Sequence, residues 1–288
     1  MRLLIVNPYA SGVDAERVAE VRRALGDVEL VETEQPGHAT ELARAAGGAE
    51  AIYVFSGDGG FNEVLNGIGP EIPIGLIPGG GASVLPRALG LPSDPLEAAE
   101  RIARGRTRTI SLGRVNGRRF AFAAGVGIDA EAVRRLDLRG RTVERGRAGN
   151  LLFVWELVRL LAEQRASIQP SLEVLGRGRA AFVLVANCDP YTYAGPIPLH
   201  VAPEARFELG LDLVAPRAVS PRSLPRLLSY SLRGRGQASA HDVLYGHDLD
   251  RIEIVCDGPM PLHVDGEDLG DVTSALFEAD RNAVNVLV

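Results

Sequence analysis

Ala51-Ile52-Tyr53-Val54-Phe55-Ser56-Gly57-Asp58-Gly59-Gly60-Phe61-Asn62-Glu63 decides the fold of the first part of this chain. Five apolar residues in a row, closed by Ser-Gly, read as a strand buried on both faces, and residues 61–68 then take helical spacing. Glycine lets the backbone turn and approach a ligand with no Cβ in the way. The amides that open the next helix are donors that favour an anion. Asp58 would repel a bare phosphate, so its presence suggests a metal ion or metal-bound water, as nucleotide phosphates usually carry magnesium. Read alone, the turn is equally a tight strand-to-helix connection with a solvated Asp58. A second cluster, Pro78-Gly79-Gly80-Gly81, follows an apolar strand at 74–77 and precedes a helix at 82–89. Two such turns on neighbouring parallel strands would build one crevice with amides from both sides, which points to phosphate binding.

Outward from that stretch, strand and helix patterns alternate. Strands are expected at 2–6 and 28–31, and helices at 14–25 (with Asp14 as N-cap), 38–46 and 96–103. Short apolar strands separated by helices mean a mostly parallel sheet covered on both faces, with functional loops at the carboxyl ends of its strands. From about Thr107 the texture changes. Strands are expected at 109–115, 119–124, 172–175, 180–186, 209–215, 237–244 and 252–256, with helices at 150–163 and 221–232. Asn116-Gly117 between two strands is a hairpin signal. The expected division is therefore 1–116, an α/β nucleotide-binding domain, and 117–288, a β-rich acceptor domain, with 275–288 able to return to the first.

Composition narrows the chemistry. The chain has 288 residues, 46% hydrophobic and 24% charged, with a net charge of −6. That balance speaks against nucleic acid as a partner, which would want a cationic face. No stretch approaches 18 consecutive apolar residues, so no membrane span and no signal peptide is expected. Cys188 and Cys256 sit singly inside apolar runs and read as buried thiols of a reducing cytoplasm. All 31 basic residues are arginine. With no lysine, a Walker-A, protein-kinase or Schiff-base lysine is excluded, and phosphate chemistry must use amides, arginine or metal.

Four segments in order resemble the diacylglycerol kinase catalytic-domain family, which includes bacterial lipid kinases and sphingosine kinases. Asn7-Pro8 with Ser11-Gly12 is similar to its N-P-x-S-G loop, and Gly37-His38-Ala39-Thr40 precedes a helix as in the family. The turn at 56–63 is similar to G-G-D-G-T-x-N-E, agreeing at Gly57, Asp58, Gly59, Asn62 and Glu63 of seven specified positions. The cluster at 78–81, running on through Arg87-Ala88-Leu89-Gly90, is similar to P-x-G-T-x-N-D-x-A-R. Downstream, Gly125-Val126-Gly127-Ile128-Asp129 and Val264-Asp265-Gly266-Glu267 also match.

The resemblance implies a phosphofructokinase-like doubly wound α/β domain and a C-terminal antiparallel β-sandwich domain. It implies ATP and Mg²⁺ as cofactors and a lipid hydroxyl as acceptor. Asn7, Thr40, Gly57, Asp58, Gly59, Gly60, Asn62 and Glu63 would surround the nucleotide, joined by Gly79, Gly80 and Gly81 of the second turn, with magnesium at Asp58. Glu267 would take the proton, with Asp265 beside it. The chain departs from the pattern at Gly60 and Gly81, which replace threonines, at Ser83-Val84 in place of Asn-Asp, and at Leu209, where members with a structural magnesium have an aspartate. The rival readings are a kinase of a soluble hydroxyl compound and a non-catalytic nucleotide- or lipid-binding member.

Other features weigh on partners. Arg134, Arg135, Arg139, Arg141, Arg145 and Arg147, and then Arg217, Arg222, Arg226, Arg233 and Arg235, are either a solvated face or a docking surface for anionic lipid at a peripheral membrane. The apolar helix at 150–163 reads as buried or interdomain rather than membrane-inserting. His241-Asp242 and His247-Asp248 invite a metal reading but lack a third ligand set, and homodimer formation is left open.

Overall fold

The computed structural model describes residues 1–138, 149–165, 167–195 and 197–288, without the side chains of 149–151. The first compact unit comprises Met1–Leu112 with Arg281–Val288, and the second the described residues between Gly113 and Asp280. In the first unit, β1 (Arg2–Val6), α1 (Ala15–Leu25), β2 (Glu29–Glu32), α2 (His38–Ala45), β3 (Ala51–Ser56), α3 (Asp58–Leu65), β4 (Ile74–Pro78), α4 (Val84–Ala88) and α5 (Pro95–Ala103) alternate. Strands β2, β1, β3 and β4 lie side by side and parallel, with Leu3 opposite both Glu29 and Ile52, and Val54 opposite Leu76. Every residue of β3 and β4 is buried, which accounts for their unbroken apolar runs. Asp14 caps α1 through the amide of Arg17, and Asp94 caps α5 just before Pro95. The chain's last residues return to this sheet, Val286 pairing in parallel with Ile74.

The strand β5 (Thr107–Val115) crosses from the first unit into the second, where β6 (Arg118–Phe120), β7 (Ala123–Val126), α6 (Ile128–Leu138) and α7 (Gly149–Glu163) follow. Next come β8 (Leu172–Val174), β9 (Gly178–Ala180), β10 (Val183–Ala186), β11 (Thr192–Ala194), β12 (Ile197–Leu199), β13 (Leu211–Pro216), α8 (Leu224–Arg233), β14 (Val243–Leu249), β15 (Arg251–Val264) and β16 (Glu267–Leu287). Neighbouring strands of the run β14-β13-β10-β7-β15-β16 are antiparallel. β15 changes register between Val255 and Met260, so its first half pairs β8 and its second half β7. The core of this unit holds Phe120 and Phe277 edge to face, 6.4 Å apart and 82° between planes. Asn116 and Gly117 join β5 to β6 with φ of 48° and 87°. Both positive angles are those of the two-residue hairpin turn that twists with its strands.

Several expectations need correction. Helix α6 had no sequence signal, because its buried residues include Asp129 and two alanines, which leave little apolar contrast. Residues 237–242 are not strand, and β14 begins only at Val243. Gln237 is buried for another reason, its amide donating to the carbonyl of His200 at 3.2 Å.

Helix α7 is not buried on all sides. Phe153, Leu157, Leu160 and Leu161 pack with Ile128, Ala132, Leu224 and Leu227, while Leu152, Trp155 and Val158 are 47%, 62% and 49% exposed. Cys188 and Cys256 are buried thiols, neither in a disulfide. His247 holds Asp212 through Nδ1 at 2.9 Å, which raises its pKa, while burial raises that of Asp212. No grouping of three metal-ligating side chains occurs among the described residues.

Candidate active site

In the first unit the loops after β1, β3 and β4 are stitched together by their backbones. The amide of Asn7 donates to Phe55 (3.0 Å), that of Gly12 to Gly79 (2.8 Å), and that of Gly79 to Ser56 (2.7 Å). Gly57 and Gly80 cross so closely that a Cβ on Gly80 would lie 2.8 Å from the Gly57 Cα. Helix α3 begins at Asp58, inside the glycine turn and three residues earlier than its spacing suggests, with Gly57 as an N-cap that offers no side-chain acceptor. Its first helical bond runs from the Phe61 amide to Gly57. The amides of Gly59 and Gly60 therefore precede the helix's own hydrogen-bond ladder.

Asp58 has a structural task. Its Oδ2 accepts from the Val84 amide at 3.0 Å and its Oδ1 from that of Leu85 at 3.1 Å. It thus caps α4, whose own N-cap residue, Ser83, makes no side-chain cap bond. Thr40 donates to the carbonyl of Glu63 (2.8 Å), and the Ala39 amide donates to Glu63 Oε2 (3.2 Å), which ties α2 to α3. Asn7 Oδ1 accepts from the Tyr9 amide, and Asn62 is buried with its Oδ1 bonded by Asn66.

A cavity of about 410 Å³ opens at the carboxyl ends of β1, β2 and β3. Asn7, Ser56, Gly60 and Glu63 line it, together with Thr33 and Gln35 of the loop after β2. The structure thus gathers Asn7, Gly60 and Glu63 at one wall. Thr40 stands behind them through Glu63, while Gly79 and Gly80 press on the turn by backbone contact. Thr40, Gly57, Asp58, Gly59, Asn62, Gly79, Gly80 and Gly81 are not lining residues. Thr33, Gln35 and Ser56 went unnoticed in the sequence, although Ser56 stands inside the quoted turn. A second depression of similar volume, between α1 and Leu30, touches no strand end and carries no comparable chemistry.

In the second unit Asp265 and Gly266 connect β15 to β16 with φ of 47° and 79°, a two-residue turn. The Asp265 carboxylate is buried and accepts from the amides of Ala121 (2.6 Å), Phe122 (2.9 Å) and Ala123 (3.1 Å). It is the anchor of the turn. Glu267, by contrast, is partly open to solvent, and its Oε2 accepts from Arg118 Nη2 at 2.5 Å.

Next to the turn lies a buried cluster absent from the expected site. His263 Nε2 is 2.7 Å from Asp129 Oδ2, and the Tyr191 hydroxyl donates to the same oxygen at 2.9 Å. Burial, then the Asp129 charge, pushes the Tyr191 pKa well above its ordinary value, so it remains a neutral donor. Gly125 makes room, since a Cβ there would fall 2.1 Å from Asp129 Oδ2. The only local signal was Gly127-Ile128-Asp129; nothing near Tyr191 or His263 announced their meeting.

The chain is similar to known proteins. Residues 2–115 match the model described as "Diacylglycerol kinase catalytic domain". The chain is 28% identical over 238 residues to a diacylglycerol kinase of Bacillus subtilis (strain 168), covering 80% of this chain and 76% of that protein. It is 27% identical over 261 residues to a diacylglycerol kinase of Staphylococcus carnosus (strain TM300), covering 88% and 82%. The crystal structure of a diacylglycerol kinase from Bacillus anthracis str. Sterne aligns with a TM-score of 0.73 at 21% identity, over 99% of this chain and 96% of that one. An NAD kinase from Archaeoglobus fulgidus in complex with ATP aligns at 0.53 and 15% identity, over 100% and 94%. At such identities the structural likenesses speak for the fold. The sequence likenesses define an enzyme of the lipid kinase class. Its residues 2–115 are similar to the diacylglycerol kinase catalytic domain.

The two acids of the Asp-Gly-Glu turn are expected to separate in stability. Asp265→Ala leaves three buried amides without an acceptor, at about 1–3 kcal/mol each, and urea unfolding is expected to show a loss of about 3 kcal/mol or more. Glu267→Gln breaks a solvent-exposed ion pair and should cost under about 1 kcal/mol. Equal losses in the two variants would contradict the division of roles.

Proposed function

We propose that the protein is an ATP-dependent lipid kinase that moves the γ-phosphate of ATP to a hydroxyl of diacylglycerol or a related lipid. The observation that carries this reading is the cavity at the carboxyl ends of β1, β2 and β3, with the uncapped first turn of α3 in its wall. Amides fixed by the crossing at Gly57 and Gly80 are preorganised donors, which cost no reorganisation when phosphate charge builds. Phosphoryl transfer asks little covalent work of the protein beyond such positioning.

In this reading Glu267 accepts the proton of the lipid hydroxyl while its oxygen attacks the γ-phosphorus and ADP departs with the bridging oxygen. Arg118, bonded to Glu267, orients the carboxylate. Asp265 is a positioning residue that sets the turn. Asp58 is the carboxylate of the turn that would hold magnesium, while both its oxygens also accept the amides that open α4. Magnesium in nucleotide sites needs only one or two carboxylates beside the phosphates. When bound, the ion neutralises charge on the phosphates.

A lipid acceptor requires contact with a membrane, and the reading places the protein in the cytoplasm, at the inner membrane face. The supporting observation is the apolar row Leu152, Trp155 and Val158 on α7, with exposed Leu228 and Leu232 on α8. Arg222, Arg226, Arg233 and Arg235 are exposed on or beside α8, although Arg226 also pairs with Asp242. Arg134 and Arg135 are committed to Asp268, Asp271, Glu131 and Glu163, and do not join that surface. Arg139, Arg141, Arg145 and Arg147 lie outside the described residues. No described helix is long and apolar enough to cross a membrane.

Two measurements test the reading. With labelled ATP, magnesium and a lipid extract, the wild type is expected to label lipid and Glu267→Ala to lose at least about 100-fold, as removal of a general base does. Label confined to the aqueous phase would replace the lipid with a soluble alcohol, and equal activity in both proteins would remove Glu267 from its role. In vesicle flotation with anionic lipid, Trp155→Glu is expected to weaken binding at least about tenfold, given about 2 kcal/mol for burying such a side chain. Unchanged flotation would leave the α7 row as a surface for a second copy, visible as a dimer in sedimentation.

A further inference from the structure

Ser56 ends β3 at 1% exposure and lines the cavity, yet its hydroxyl has no hydrogen-bond partner within the protein. A buried hydroxyl left unpaired costs about 1–3 kcal/mol, so an orphan at a cavity wall calls for a reason. The neighbouring residue supplies one. A Cβ built on Gly60 would fall 2.1 Å from Ser56 Oγ and 2.8 Å from Ser56 Cβ. Gly60 is helical, in α3, and has no positive φ, so conformational freedom does not explain it. A glycine inside a helix costs about 0.5–1 kcal/mol relative to alanine. The chain therefore carries two local costs four residues apart, and their joint effect is one buried hydroxyl left without a protein partner in the cavity wall, beside Gly60 of the first turn of α3.

We propose that Ser56 Oγ is a phosphate-binding donor of this site, and that Gly60 is there to leave room for it. This rests on the nucleotide reading of the cavity. The hydroxyl donates to a phosphoryl oxygen held by the α3 amides, which satisfies the orphan only when ligand is present. In the motif that the turn resembles, glycine stands at position 56 and threonine at 60. Here the hydroxyl has moved to the opposite member of the pair, and the steric exclusion between the two explains why both positions differ together. A threonine at 60 requires glycine at 56.

Calorimetry with ATP and magnesium, paired with thermal melts, tests the assignment on the wild type, Ser56→Ala and the double variant Ser56→Gly/Gly60→Thr. Ser56→Ala is expected to weaken ATP binding about tenfold or more, in line with a hydrogen bond to a charged oxygen. Its ligand-free melting temperature is expected to equal or exceed that of the wild type, because the orphan hydroxyl is gone. The double variant is expected to recover most of the lost affinity. Wild-type affinity in Ser56→Ala, or an affinity loss accompanied by an equal fall in stability, overturns the role of Ser56. A folded double variant that binds no better than Ser56→Ala overturns the coupling to Gly60. A wild type that binds no ATP removes the nucleotide reading as well, whereas ATP binding indifferent to Ser56 removes this inference alone.

Discussion

The backbone crossing of Gly57 with Gly80 is the constraint on which the site depends. No side chain fits at Gly80, where a Cβ would sit 2.8 Å from the Gly57 Cα. That contact brings the loops after β3 and β4 together, and Asp58 locks it by capping α4 with both carboxylate oxygens. With the two loops fixed, α3 can start directly at the strand end, with Gly60 of its first turn in the cavity wall. Two glycine clusters in the sequence are thus one structural device.

A chain with no lysine must handle phosphate through donors of another kind. Backbone amides are neutral and fixed, and they act through position rather than charge. Asp58 and Glu63, the two acids of the glycine turn, have tasks in holding helices. Glu63 shows the economy of the arrangement. Its carboxylate accepts from Ala39, its carbonyl accepts from Thr40, and it still lines the cavity. In the second unit Asp265 and Glu267 follow the same logic, one acid buried on three amides and one left open with Arg118.

How much of this the sequence revealed depended on whether the signal was local. The unbroken apolar runs of β3 and β4 and the Asn116-Gly117 turn were legible because burial on two faces and paired positive φ each leave a mark on adjacent residues. Helix α6 escaped because a buried aspartate and alanines blur its period. The exposed side of α7 escaped because an apolar row looks the same whether it faces a core or solvent. Among site residues, Asn7, Gly60 and Glu63 share one cavity wall. The union of Asp129 with Tyr191 and His263 spans separations of 62 and 134 residues, which no spacing rule can read.

The central claim is that phosphate groups sit against the first turn of α3, and a crystal structure with a non-hydrolysable ATP analogue addresses it directly. The expected result is phosphoryl oxygens within about 3.2 Å of the Gly59 and Gly60 amides, the distance of an ordinary N–H···O bond. Phosphates bound elsewhere in the first unit, with those amides facing only solvent, would contradict it.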